Sequence, residues 1–222
     1  MDKAAELKKL YQKIIHCDCC QKVIPSKVRR QVLENTLSSE IVLMAQAPAE
    51  TGVRISGVHW NKENGTLTAG GSFLDKHLAL IKYSVNLKNN EYVRPYTTNV
   101  LQCWTGRERK GKGERDRYPK DKELTFCSCW WKKELEIICP KVIVFLGAPA
   151  IECFAQVIGK EWKLAERLKH QGEIIIIDDM ELKGFFLPHP TSSYKEKDVP
   201  NPRKKSQIYH DVFIQINKYL SS

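Results

Sequence analysis

The stretch Ser38-Ser39-Glu40-Ile41-Val42-Leu43-Met44-Ala45 sets the fold class. It is an almost continuous apolar run, which suits a strand buried on both faces of a parallel sheet. Gln46-Ala47-Pro48-Ala49-Glu50 then reads as the loop after its carboxyl end, the edge at which open α/β sheets gather their ligands. Working outward, Tyr96 to Leu101, Lys141 to Leu146, Glu173 to Asp178 and Gly184 to Leu187 read as further strands. Amphipathic helices are predicted at Asp2 to Ile15, Ser72 to Tyr83, Glu123 to Cys139 and Ile208 to Leu220, with another ending near Ile158. In the second of these, Phe73, Leu74, Leu78 and Ile81 face inward, while Asp75 and His77 fall on the polar side. The alternation predicts an α/β fold, a three-layer αβα sandwich around a central, mostly parallel sheet. One domain is expected over residues 1–222, with an N-terminal helix and cysteine pair in 1–37 and the α/β core in 38–222.

Composition narrows the partner. The chain has 222 residues, 42% of them hydrophobic, and a net charge of +10, which favours a polyanion such as nucleic acid or an anionic membrane surface. Membrane attachment is not expected, because no apolar run approaches the roughly 18 residues of a spanning helix, and MDKAAELKKL lacks a signal-peptide core. Eight cysteines without a secretory signal point to metal ligation or buried thiols in the reducing cytoplasm. Thr105 to Lys122 (TGRERKGKGERDRYPKDK) reads as a charged loop, solvated or touching phosphates.

Four groups of residues can carry chemistry. Asn99, at the end of the Tyr96–Leu101 strand, offers an acceptor and a donor on one planar amide, matching the Watson-Crick edge of a pyrimidine. Its plainer reading is a residue that merely ends a strand. Cys17 and Cys20 form a Cys-x-x-Cys pair just past a helix, and such a pair can clamp a metal centre. Glu50 follows a buried strand, a placement that suits orienting or deprotonating a water. His189 sits between two prolines that limit backbone freedom, just after a strand.

The ordered set IVLMAQAPAE (Ile41 to Glu50), YTTNV, PKVIVFLGAPA (Pro140 to Ala150) and LPHPTSS (Leu187 to Ser193) resembles the uracil-DNA glycosylase superfamily, and most closely its family-4 iron-sulfur branch. The resemblance runs from Cys17 to about Tyr194. It implies a 4Fe-4S cluster on Cys17, Cys20, Cys103 and Cys127. Four thiolates around a structural zinc are the alternative, and Cys19 or Cys129 can stand in as ligands. It also implies that Gln46 and Ala47 line the nucleotide pocket, where the family's Gly-Glu-x-Pro-Gly reads Ala-Gln-Ala-Pro-Ala. His189 would donate to the pyrimidine carbonyl as the bond breaks, Thr191 would keep the hydroxyl of the family's His-Pro-Ser, and Tyr194 would occupy the wedge position. The family's Pro-Phe-Val-Gly run is missing near Gly65 to Thr68, so Trp60 or His59 from a longer loop must supply a face for the flipped base.

The resulting expectation is a monofunctional DNA glycosylase with Glu50, Asn99 and His189 as catalytic residues, acting on DNA as a monomer. Its base is uracil, in repair, or a bulky modified cytosine such as glucosylated hydroxymethylcytosine, in antiviral defence. Two other classes are a DNA-binding module with little catalysis, suggested by Gln46, and a zinc-held protein-interaction domain.

Overall fold

Asp2 opens the first helix by accepting the Ala5 N–H at its side chain, 3.1 Å away. The computed structural model describes residues 2–20, 26–27, 30–49, 52–110, 113–196 and 202–222, with only the backbone at 26, 27, 110, 113 and 115. In chain order the elements are α1 (Lys3–His16), β1 (Ser26–Lys27), β2 (Ile41–Ala45), α2 (Val53–Ser56), α3 (Ala69–Leu78), β3 (Tyr96–Asn99), β4 (Cys103–Trp104), β5 (Arg107–Lys110) and β6 (Gly113–Asp116). They continue with α4 (Asp121–Ile138), β7 (Val142–Leu146), α5 (Ala148–Val157), α6 (Leu164–Arg167), β8 (Glu173–Ile177), β9 (Met180–Leu187) and α7 (Lys205–Leu220).

The central sheet has five strands in the order β3-β2-β7-β9-β8. All its pairings are parallel except the β8–β9 hairpin at one edge. Every residue of β2 and β7 is buried, as the unbroken apolar runs predict for central strands with helices on both faces. Right-handed crossovers decide which helix lies where. The chain steps from β2 to β3 through α3 and back across to β7 through α4, so those two helices take opposite faces. Accordingly α3 packs with α7, and α4 packs with α1 and α5.

The core on the α4 and α5 side is aromatic: Phe145 stacks on Phe186 with centroids 5.4 Å apart, and Phe154 lies 4.6 Å from Phe145. Burying each such ring contributes about 1.5–3 kcal/mol. Two expectations are corrected. His77 is buried, its Nδ1 2.8 Å from the Phe73 carbonyl oxygen and its ring 5.2 Å from that of Tyr209, because α7 covers the face that periodicity left polar. The stretch read as a charged loop contains two paired strands: β5 and β6 run antiparallel, with Arg107 opposite Asp116, Glu108 opposite Arg115 and Arg109 opposite Glu114. Arg107 lies 3.5 Å from Glu114 across the two strands. No helix among the described residues is long and apolar enough to cross a membrane.

Candidate functional site

The parallel register brings the carboxyl ends of four strands to one rim. Ala45 pairs with Asn99 and Leu146 with Leu187, so the segments after β2, β3, β7 and β9 leave the sheet at the same level. Successive crossovers run in opposite directions on either side of β2 and β7, which makes their junction the switch point where such sheets open a crevice.

Asn99 reaches this rim on a braced strand. Tyr96 and Thr98 point towards α1 and α4, where Thr98 donates to the buried Glu134 and Tyr11 and Tyr96 share a 2.8 Å hydroxyl contact. Glu134 also pairs with Arg30, whose guanidinium donates to the Thr97 carbonyl at 2.6 Å. Gln102 ties the strand end down, donating to the Asn99 carbonyl and to Thr98 Oγ1, each at 3.0 Å. Alternation then turns Asn99 to the opposite face. There its Nδ2 lies 2.9 Å from His59 Nε2, while its Oδ1 is buried with no hydrogen-bond partner among the described residues. Standing at the rim, this open acceptor is able to receive a donor from a ligand.

His59 and Trp60 are delivered by the longer loop. Trp60 takes a left-handed backbone, with φ of 68°, a strained state for a bulky residue. Asn61, fully buried, holds it there by donating to the His59 carbonyl at 2.8 Å and the Val85 carbonyl at 2.9 Å. The first turn of α3 backs the loop so closely that a Cβ on Gly71 would stand 2.4 Å from the Trp60 carbonyl oxygen. Burial, with Arg30 and Arg94 nearby, holds the His59 imidazole well below its usual range, so the ring is neutral.

The Trp60 ring lies 6.3 Å from the His189 ring, which puts Asn99, His59, Trp60 and His189 at one rim. Trp60 Nε1 and Asn61 Oδ1 on the same loop are likewise buried without a partner among the described residues. His189 is positioned by the loop around it and by α7. Ser192 donates its N–H and its hydroxyl to the His189 carbonyl, at 2.9 and 2.8 Å. Lys205 donates to the carbonyls of Pro190 and, at 2.7 Å, Ser192, and Tyr209 donates to the Pro188 carbonyl at 2.6 Å. Thr191 N–H donates to His189 Nδ1 at 3.3 Å, with Thr191 Oγ1 2.8 Å from the same nitrogen. Accepting there leaves the ring proton on Nε2, which is free to donate outward. Burial and then Lys205 lower the imidazole pKa, against a weaker opposing pull from Asp116, so His189 is also neutral. Gly147 makes room for it: its φ is 95°, and a Cβ would come within 2.9 Å of His189 Cβ.

Of the other sequence candidates, Gln46 and Ala47 stand half-buried directly after β2, the Gln46 carbonyl accepting from Leu101 N–H at 2.9 Å. Tyr194 is partly buried against the core. Glu50 lies outside the described residues. Sequence reasoning passed over Asn61 and Tyr209, and read Lys205 only as part of a basic run suited to the DNA backbone; the work of all three is done through backbone carbonyls that no motif displays.

The eight cysteines are all free thiols. Cys17 ends α1, Cys103 lies in β4, which pairs with β1, and Cys127 is buried on α4. The Cys127 thiol is pushed well above its usual range, first by burial and further by Cys103, Cys20 and Cys17, so the four sulfurs share one neighbourhood. Gln102 N–H donates to Cys127 Sγ at 3.1 Å, a contact that suits a thiolate ligand. Cys129 feels only Cys17 among the cysteines, and Cys19 hydrogen-bonds to Cys17. Among the described residues no three His, Cys, Asp or Glu side chains are grouped to hold a single metal ion.

The comparisons agree with this architecture. The family model described as "Uracil DNA glycosylase superfamily" matches residues 33–213. A type-4 uracil-DNA glycosylase of Sulfurisphaera tokodaii is 24% identical over 199 residues, spanning 89% of this chain and 79% of that protein. With four strand ends meeting at one rim and that match extending across most of its length, the chain belongs to the uracil DNA glycosylase superfamily, on its family-4 branch, and is a DNA glycosylase.

Proposed function

We propose that this glycosylase extrudes a pyrimidine from DNA and hydrolyses its bond to deoxyribose, with Asn99 reading the base edge and His189 stabilising the departing base. The observation that carries the reading is the buried, unpartnered Asn99 Oδ1 at the rim it shares with His189. As the glycosidic bond breaks, negative charge grows on the base carbonyl. A neutral His189 donating from Nε2 stabilises that charge while Thr191 holds its tautomer. Glu50, on the loop after β2, is assigned to orient the attacking water, and Gln46 and Ala47 to line the nucleotide pocket. Trp60 supplies the apolar face that the missing Pro-Phe-Val-Gly run would have given, and Tyr194 fills the space the base vacates. The Gly147 turn and the loop pinned by Lys205 keep His189 still, so much of the rate effect comes from fixed dipoles and positioning. No motif places a lysine for Schiff-base chemistry, so cleavage of the DNA strand is not expected.

Cys17, Cys20, Cys103 and Cys127 are assigned to a 4Fe-4S cluster, which would supply a structural tie between the end of α1, β4 and α4. Eight free thiols suit a cytoplasmic setting, and the enzyme is taken to act as a monomer.

The test is release of free base from oligonucleotides containing uracil, hypoxanthine or glucosylated hydroxymethylcytosine. Release of a pyrimidine, abolished in Asn99→Ala, is the expected result. Release of hypoxanthine alone overturns the assignment. Release from glucosylated DNA but not from the uracil substrate would place the enzyme in defence against modified viral genomes instead of repair.

A further inference from the structure

We propose that His59 is a specificity-determining residue acting through Asn99: it fixes which end of the amide meets the base, and so decides between pyrimidines with oxygen and pyrimidines with an amine at C4. This role rests on Asn99 being the base-reading side chain. A terminal amide is nearly symmetric in shape, and a flip exchanges acceptor for donor. A 4-oxo pyrimidine presents N3–H and O4, whereas a 4-amino pyrimidine presents a bare N3 and an N–H donor. An Asn free to flip therefore serves both.

Here the amide is held. Asn99 is almost fully buried, its carbonyl is taken by Gln102, and among the described residues its side-chain amide is held by His59 Nε2 at 2.9 Å. His59 is held in turn by Asn61, which is fully buried and anchored to the Val85 carbonyl. A neutral imidazole carries one donor and one acceptor, so the position of a single ring proton is transmitted to the amide. With Nε2 bare, as the present arrangement has it, Nδ2 donates to His59. Oδ1 is then left buried and open to accept from N3–H of a 4-oxo base. With the proton on Nε2, Oδ1 would turn to His59 and Nδ2 would meet the bare N3 of a 4-amino base. His59 belongs to the rebuilt loop that sets this chain apart, so the discriminating contact comes with that loop.

The test compares kcat/KM for release of uracil and of 5-hydroxymethylcytosine from otherwise identical oligonucleotides. It uses the parent enzyme, His59→Leu and His59→Phe, which lack a ring nitrogen, and His59→Gln, whose side-chain oxygen can still accept from Asn99. The parent should favour the 4-oxo base. Its preference should shrink by about 10–100-fold in both His59→Leu and His59→Phe, the size of one bidentate base contact, and recover in part in His59→Gln. Collapse in the aromatic as well as the aliphatic variant separates lost hydrogen bonding from lost packing. A parent preference for the 4-amino base that collapses in the same variants upholds the role and assigns the ring proton to Nε2. An unchanged ratio, or equal loss on both bases, overturns it while leaving Asn99 as the reader. Release by the parent of neither of these bases, nor of glucosylated 5-hydroxymethylcytosine, overturns the underlying reading as well.

Discussion

Two histidines at the rim are kept neutral for different uses. His189 has Nδ1 occupied by Thr191, and in the proposed mechanism its Nε2 donates to the substrate, so replacing it by Ala should lower kcat by about 10²–10³-fold, measured by single-turnover base release, with little change in DNA affinity. Its folded pKa lies below the unfolded value near 6.5, and His59 is shifted the same way. The unfolded chain therefore binds these protons more readily. Their contribution to stability is fully present above about pH 6.5 and is lost as pH falls through the lowered folded values. Thermal melts from pH 7.5 to 5 should show a fall in Tm that is shallower in His59→Gln. Catalysis should persist below pH 6.5, because the working form of His189 is neutral.

At the scale of elements, β3 places Asn99 because the opposite side of the strand is fastened to α4. Glu134 is fully buried and satisfied by Arg30, Thr98 and Gln102. Glu134→Ala would leave the Arg30 cation buried without its counter-ion, and loss of one partner from such a pair costs about 3–5 kcal/mol. Urea denaturation should register that loss, and base release at saturating substrate should fall as well because Asn99 is no longer braced. The charged strand pair of β5 and β6 stands close enough to the rim for Asp116 to act on His189.

For the molecule as a whole, the four cysteines connect parts of the chain far apart in sequence: the end of α1, the β1–β4 ribbon and the middle of α4. If they hold a cluster, purified protein should carry iron and acid-labile sulfide with broad visible absorbance. Cys127→Ala should lose both and lower Tm, while Cys139→Ala, at an exposed thiol away from this group, should change neither. A protein free of iron but containing zinc would overturn the cluster assignment.

The sequence by itself determined the strands of the central sheet, the long helices and the parallel core, because unbroken apolar runs such as Ile41–Ala45 and Val142–Leu146 state their burial locally. It also singled out Asn99 and His189, which stand in short ordered motifs. Tertiary structure alone decided that these two share a rim, since their meeting depends on strand register and on crossover handedness. It alone supplied His59 as the partner of Asn99, and Lys205 and Tyr209 as the clamps on the His189 loop. Those contacts join residues brought together by packing, and several run through backbone carbonyls, which have the same chemistry at every position and so leave no trace in side-chain identity.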